Sequence, residues 1–265
     1  MDYTQKIIGL GLVMLGVMLI ASPLEASLID GLVAWYPFNG DASDFTGNGH
    51  DGTLVGASPT TDRFGNQLGA LRFDGNDYVR VPDHSDLTLN IGAFTLAAWA
   101  NFDSYGADGG YYLMGHSTGG GNQNKWIFWL GNGGITFIHY PQPGSHWTGI
   151  GDYAFELDNW YHVAIRGSGN ILEGFVNGNS IGTATFSGTM ANPSNYLTIG
   201  SCELGTKPNR YFDGAIDDVR IYGRALSNLE LLDLYSIPEP ATICLLALGS
   251  LGLLRRQRRL KRIKG

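Results

Sequence analysis

Three groups of residues in this 265-residue chain have the types and spacing to do chemistry. The first is the loop from Asn39 to Asp51, Asn-Gly-Asp-Ala-Ser-Asp-Phe-Thr-Gly-Asn-Gly-His-Asp. Calcium takes roughly six to eight hard oxygen ligands in a turning chain, and this loop offers carboxylates and amides between turn-forming glycines. Asp41, Asp44 and Asn48 are its candidate ligands. The EF-hand pattern with its terminal Glu is absent, and the alternative is that these side chains only make turn hydrogen bonds. The second group is Glu156-Leu157-Asp158. Retaining glycoside hydrolysis needs two carboxyls about 5 Å apart, and these two acids are followed by none in Asn159-Trp160-Tyr161. Glu156 and Asp158 are expected to be solvated loop acids, and His162 a hydrogen-bonded structural residue. No Ser/His/Asp spacing, His-Glu-x-x-His or phosphate-cradling glycine loop occurs. No catalytic residue is assigned.

The third group is aromatic. Tyr105, Tyr111, Tyr112, Trp126, Trp129, Tyr140, His146, Trp147 and Tyr153 lie among glycines, with amides at Asn122, Gln123, Asn124 and Gln142. A flat ring beside polar donors can stack on the apolar face of a sugar. Trp126, Phe128 and Leu130 alternate with Ile127 and Trp129, so one of the two sets must face a core. Tyr111, Tyr112, His146 and Trp147 read as loop residues and are the candidate ligand-binding set. Core packing is the competing use of these rings.

The elements that position these groups are β-strands. Gly is plentiful at 39 residues, aromatics make up 12% and charged residues only 15% of the chain, which excludes a disordered chain and a coiled coil. Short apolar runs recur between Gly, Asn and Asp turns, among them 32–36, 71–73, 78–81, 94–102, 160–166, 171–176 and 215–222. That spacing predicts a sandwich of antiparallel sheets. In Tyr78-Val79-Arg80-Val81 both valines face one way. Asn177-Gly178 between apolar flanks suits a tight hairpin. Ser227-Asn228-Leu229-Glu230 is a capping box that opens a helix to about Tyr235. The stretch from Ser104 to Asn124 reads as a Gly/Tyr-rich inserted loop.

Between Ser27 and Ile237 there are 9 basic and 21 acidic residues. Such a body repels phosphate backbones, which argues against nucleic acid and for calcium or a neutral polymer as partner. Its one cysteine, Cys202, follows an apolar strand-like run and is expected to act as a small buried hydrophobe; Cys244 lies in the tail. The ends differ from the body. Lys6, the apolar run Ile7–Ile20 and Ala21-Ser22-Pro23-Leu24-Glu25-Ala26 are expected to make a secretory signal peptide over residues 1–26; the alternative is an uncleaved anchor helix, for which the run is short of the ~20 residues a bilayer needs. At the other end Pro238-Glu239-Pro240 precedes an apolar stretch, Ala241–Leu254, and a basic cluster up to Lys264. A helix there is about 21 Å long at 1.5 Å per residue, short of a hydrocarbon core of about 30 Å. It enters a membrane only as a short or tilted span, with its cations on the cytoplasmic side.

Pro238-Glu239-Pro240, short apolar helix and Arg-rich end, in that order, resembles the PEP-CTERM sorting signal of Gram-negative bacteria that make exopolysaccharide. The resemblance implies recognition and cleavage by an exosortase, a transient inner-membrane anchor, and a final place on the cell surface or in the extracellular matrix. The body resembles the LamG-like jelly-roll family of the concanavalin A-like lectin/glucanase superfamily. The matching stretches begin with Gly31–Ala42, Asp44–Gly52, Phe73-Asp74-Gly75-Asn76-Asp77-Tyr78-Val79 and Phe94–Trp99. They continue with Trp160-Tyr161-His162-Val163-Ala164, Phe175-Val176-Asn177-Gly178 and Phe212–Ser227. The resemblance implies an all-β, two-sheet antiparallel jelly roll over residues 27–237, followed by the sorting signal over 238–265. It also implies a structural metal between the Asn39–Asp51 loop and the acidic pair Asp217-Asp218. Strand alternation puts Asp217 on the face of Val219 and Ile221, and an acid on an apolar face needs compensation. The expected function is adhesion or binding of a polysaccharide or surface-protein ligand, without catalysis. A glycoside hydrolase with an atypical site and a purely structural matrix protein are the alternatives.

Overall fold

The computed structural model describes residues 28–89, 92–106, 109–116, 126–131, 133–139, 146–186, 194–201 and 210–237. The expected signal peptide, Cys202, Pro238-Glu239-Pro240 and the tail behind them lie outside the described residues. So does the expected span Ala241–Leu254; among the described residues no helix is long and apolar enough to cross a membrane.

Among the described residues fifteen strands follow in chain order: β1 (Leu32–Tyr36), β2 (Thr53–Val55), β3 (Ser58–Thr60), β4 (Ala70–Asp74), β5 (Tyr78–Val81), β6 (Ala93–Phe102), β7 (Gly110–His116) and β8 (Trp126–Gly131). The rest are β9 (Gly134–His139), β10 (His146–Gly151), β11 (Trp160–Ser168), β12 (Ile171–Val176), β13 (Asn179–Thr185), β14 (Leu197–Ile199) and β15 (Asp213–Tyr222). A 3-10 turn, Ser85–Leu87, follows β5, and helix α1 (Asn228–Ser236) closes the body. One sheet runs β13-β12-β11-β6-β15-β4-β3, with β1 also on β15; the other runs β10-β9-β8-β7-β14-β5-β2. Every pairing is antiparallel. The two sheets form a jelly-roll sandwich.

Alternation fills the space between them. Val79 and Val81 point inward, as their spacing requires. Trp126, Phe128 and Leu130 are the inward set of β8, packed in one cluster with Phe73, Phe94, Phe102 and Phe137. Ile127 and Trp129 therefore face out, where they cluster with Tyr112 and Ile138. The β12–β13 hairpin turns on Asn177 (φ 51°) and Gly178 (φ 75°). Two successive positive φ angles match the twist of the flanking strands, which explains the Asn-Gly dipeptide.

Helix α1 begins at the capping box the sequence predicts. Ser227 Oγ accepts from Glu230 N–H at 3.2 Å, and the Glu230 carboxylate accepts from Ser227 N–H at 2.7 Å. Leu231 and Leu234 pack on the outer face of the first sheet against Ala97, Ala164, Phe175 and Tyr222. Ala97 and Ala164 lack the bulk that would hold the helix off the strands.

Two expectations fail here. The stretch from Ser104 to Asn124 is not simply an inserted loop, because β7 lies within it, between β8 and β14. All of β7 is buried, so the strand shows no polar alternation to betray it. The parity of β15 is also broken. Asp217 pairs with Trp99 but Arg220 with Ala97, so the register shifts between them, and Asp218 takes φ 51°. One extra residue at this bulge turns the strand over. Ile216, Val219 and Ile221 stay in the core while Asp217 goes to the outer face.

Candidate functional site

The structure divides the candidate metal residues among internal partners. Asp44 is the hub of the Asn39–Asp51 loop: its carboxylate accepts from the N–H groups of Trp35, Thr46 and His50 and from Thr46 Oγ1. Asp41 is exposed and accepts from Ser43 N–H at 2.9 Å. The Asn48 amide donates to Val33 O at 2.8 Å. Asp217 forms a buried ion pair with Arg63 at 2.5 Å. Asp218 pairs with Arg220 at 3.1 Å and accepts from Trp35 Nε1 at 2.5 Å. The Arg220 guanidinium lies 4.5 Å from the centre of the Trp35 ring.

Trp35 thus joins the loop to the acidic pair, its amide on Asp44 and its indole on Asp218. This donor set does not fit a calcium cage. The Asp44 carboxylate is engaged by backbone and hydroxyl donors, and the Asp217 and Asp218 carboxylates are each neutralised by a guanidinium, Arg63 and Arg220.

Of the expected ligand-binding set, the structure brings two residues to one face. Tyr111 is buried in the core beside Phe212, with its hydroxyl 2.6 Å from Ser104 Oγ. It is not a loop residue, and neither is Tyr112, which is buried on the outer side of β7. His146 and Trp147 also belong to a strand, β10, rather than a loop. His146 pairs with His139 in register, and its side chain lies outside the described set. Trp147 is 49% exposed on this edge strand.

Tyr112, Trp129 and Trp147 form a row across β7, β8 and β10. Tyr112 and Trp129 meet edge-on with centroids 5.1 Å apart, and Trp129 and Trp147 do so at 5.8 Å. The guanidinium of Arg210 lies 5.5 Å from each of the three ring centres and donates to the Tyr112 hydroxyl. Beside the row, Gly149 shares the face of Trp147, and a Cβ there would meet nothing within 4 Å. The result is two buried rings, Tyr112 and Trp129, beside the Arg210 cation, and one half-open ring, Trp147, next to a bare glycine. Trp129 and Trp147 are visible in the sequence as an aromatic cluster. Arg210 is not, because it comes from far along the chain and no local pattern marks it.

The remaining candidates for chemistry separate. Glu156 and Asp158 are exposed in the connection before β11, as their sequence context predicts. His162 is buried against Trp99 and Tyr235. Its backbone N–H donates to Asn177 Oδ1, while its ring Nδ1 has no hydrogen-bond partner. Burial lowers its pKa to about 3, with Arg220 and Arg63 acting the same way and Asp218 opposing. A ring held neutral this firmly is a poor base near neutral pH.

A family model described as the concanavalin A-like lectin/glucanases superfamily matches residues 73–231. The chain belongs to this superfamily. A PEP-CTERM protein-sorting motif matches residues 236–259 and marks this lectin/glucanase-type protein for export. Among solved structures, domain 4 of the arabinanase AbnA from Geobacillus stearothermophilus, in complex with arabinotriose, is similar at 21% identity and a TM-score of 0.61. The match covers 77% of this chain and 98% of that one. The binding domain of Paraclostridial Mosquitocidal Protein 1 is similar at 18% identity and a TM-score of 0.62, over 78% of this chain and 52% of that one. The botulinum neurotoxin serotype D/C binding domain is similar at 13% identity and a TM-score of 0.56, over 79% and 53%. This chain spans about half the length of the two toxin domains. At these identities the likeness is one of fold. No curated protein matches by sequence.

Proposed function

We propose that this exported superfamily member is a non-catalytic module that binds neutral polysaccharide at the cell surface or in the extracellular matrix, after an exosortase has acted on its tail. The observation that carries the reading is the row Tyr112–Trp129–Trp147 with Arg210 across it. A ring half open to solvent beside a bare glycine offers a pyranose or furanose a flat apolar surface, bordered by the charge of the Arg210 guanidinium. The arabinanase domain solved with arabinotriose lends support as a sugar-bound example of the same fold. Glu156 and Asp158 stand in an exposed connection and form no enclosed pair.

The test is retention of Trp147→Ala on immobilised neutral polysaccharide, with an arabinan among the matrices. An indole has about 250 Å² of surface, and roughly half of Trp147 is free. Covering that half contributes at most about 3 kcal/mol at ~25 cal/mol per Å². Ordering costs reduce this, so affinity should fall about tenfold or more with the melting temperature little changed. Unchanged retention on every matrix that holds the parent protein defeats the proposal.

A further inference from the structure

A second cluster lies where β2 begins and β5 ends. The antiparallel register pairs Thr53 with Arg80, which carries the chain before β2 alongside the chain after β5 and brings His50 to His84 and Asp86. One ligand atom from each of these three side chains lies within 4.8 Å of the others. His50 Nε2 is 3.8 Å from Asp86 Oδ2, and His84 Nδ1 is 3.4 Å from the same oxygen. The two imidazoles stand 4.8 Å apart, tilted by 57°.

His50 is only 2% exposed, and its Nε2 has no hydrogen-bond partner. A buried polar nitrogen left unsatisfied costs free energy and calls for a reason. Its backbone is fixed on both sides: the N–H donates to Asp44 Oδ2 at 3.3 Å, and the carbonyl accepts from the Tyr36 hydroxyl at 2.8 Å. Burial, then the nearby Asp44 and Asp51 carboxylates, push the Tyr36 pKa far up, so that hydroxyl keeps its proton and remains a donor. The oxygen-rich loop therefore positions a histidine. His84 and Asp86 are exposed and leave the cluster open to solvent.

We propose that His50, His84 and Asp86 bind one divalent transition-metal ion of the zinc class. At metal–ligand distances of about 2.0–2.2 Å, tetrahedral ligands sit about 3.3 Å from one another, so binding needs an inward movement of the two exposed side chains, and His84 Nδ1 exchanges the hydrogen bond it accepts from Asp86 N–H at 3.3 Å for the metal. Imidazole donors favour zinc, copper or nickel, whereas calcium and magnesium want oxygen. Three protein ligands leave the fourth position to water or an incoming group. The ion ties the Asn39–Asp51 loop to the turn after β5. It is independent of the aromatic shelf, and glycan retention does not test it.

The experiment titrates the chelator-stripped full chain with Zn²⁺ by calorimetry and with Co²⁺ by visible absorption. One ion per chain, a rise in melting temperature with Zn²⁺ and a Co²⁺ spectrum of nitrogen and oxygen ligation are expected. His84→Ala and Asp86→Ala remove exposed side chains and should leave far-UV circular dichroism unchanged. Each should weaken binding at least about tenfold, the scale on which even outer-shell changes act. A parent protein that takes up no Zn²⁺, or a double variant that takes it up undiminished, overturns the proposal.

Discussion

Replacing Arg63 by Met tests whether the acidic pair of β15 serves internal charge balance or metal binding. The Arg63 side chain is 5% exposed and its partner Asp217 0%, at 2.5 Å. The guanidinium also lies 4.4 Å from the ring centres of both Phe64 and Trp99. Methionine approximates the stem but leaves the Asp217 carboxylate buried without that cation. Breaking a buried pair on one side costs about 3–5 kcal/mol, and the lost ring contacts place the expected value near the middle, about 4 kcal/mol. That is a large part of the ~5–15 kcal/mol stability of a typical domain. Adding Asp217→Leu should restore most of it, because apolar replacement of a whole buried pair is often neutral or better. Urea unfolding followed by tryptophan fluorescence reads both as midpoint shifts at constant slope. A single variant costing under about 1 kcal/mol, or a double variant that is merely additive, refutes the reasoning. So does calcium-dependent stabilisation that appears only once Arg63 is gone, since a carboxylate freed for a metal would behave that way.

Other consequences are simpler to measure. His162 has a folded pKa of about 3 against about 6.5 in the unfolded chain. The unfolded state therefore takes up the proton first, so the associated stability is complete above about pH 6.5 and is lost as pH falls toward 3. The loss from this residue should be about 2 kcal/mol by pH 5. Urea midpoints at pH 7 and pH 5 should differ accordingly, and His162→Phe should flatten the difference. Ser227→Ala removes the cap from Glu230 N–H and should cost about 1 kcal/mol, lowering the melting temperature by about 2–4 °C for a body of this size. A drop that also appears in Leu229→Ala, an exposed position within the helix, would point to a cause other than the cap.

Features that depend on neighbours in sequence were legible. Asn177-Gly178, the Ser227/Glu230 box and the paired valines of β5 each declare a local conformation, and each forms as expected. What sequence could not disclose depends on registry between distant strands. The bulge at Asp218 follows from how β15 lies across β6, and alternation counted along β15 alone assigns Asp217 to the wrong face. Strand β7 escaped because both of its faces are buried, which removes the period on which strand detection rests. Arg63 and Arg210 are single cations in loop sequence, yet one neutralises a buried acid and the other spans three rings. The Asn39–Asp51 loop declares its oxygen donors in sequence, but not that the Asp44 carboxylate is taken up by the N–H groups of Trp35, Thr46 and His50.

The two outer faces of the sandwich explain why the acids attract attention in sequence while the aromatics carry the proposed binding. On the first sheet, α1 covers Ala97, Ala164 and Tyr222. Next to it, Asp217 and Arg63, Asp218 and Arg220, and the Trp35, Trp99 and Tyr235 rings meet one another. Each of these charges has an opposite charge within reach. On the second sheet, the Tyr112–Trp129 pair continues to a tryptophan half open to water at an edge strand, beside a glycine with no neighbour. Keeping an indole half exposed forgoes burial of about 120 Å² of apolar surface, about 3 kcal/mol. That cost falls on the face where the floor beside the ring is left clear, and a bound sugar ring would recover it.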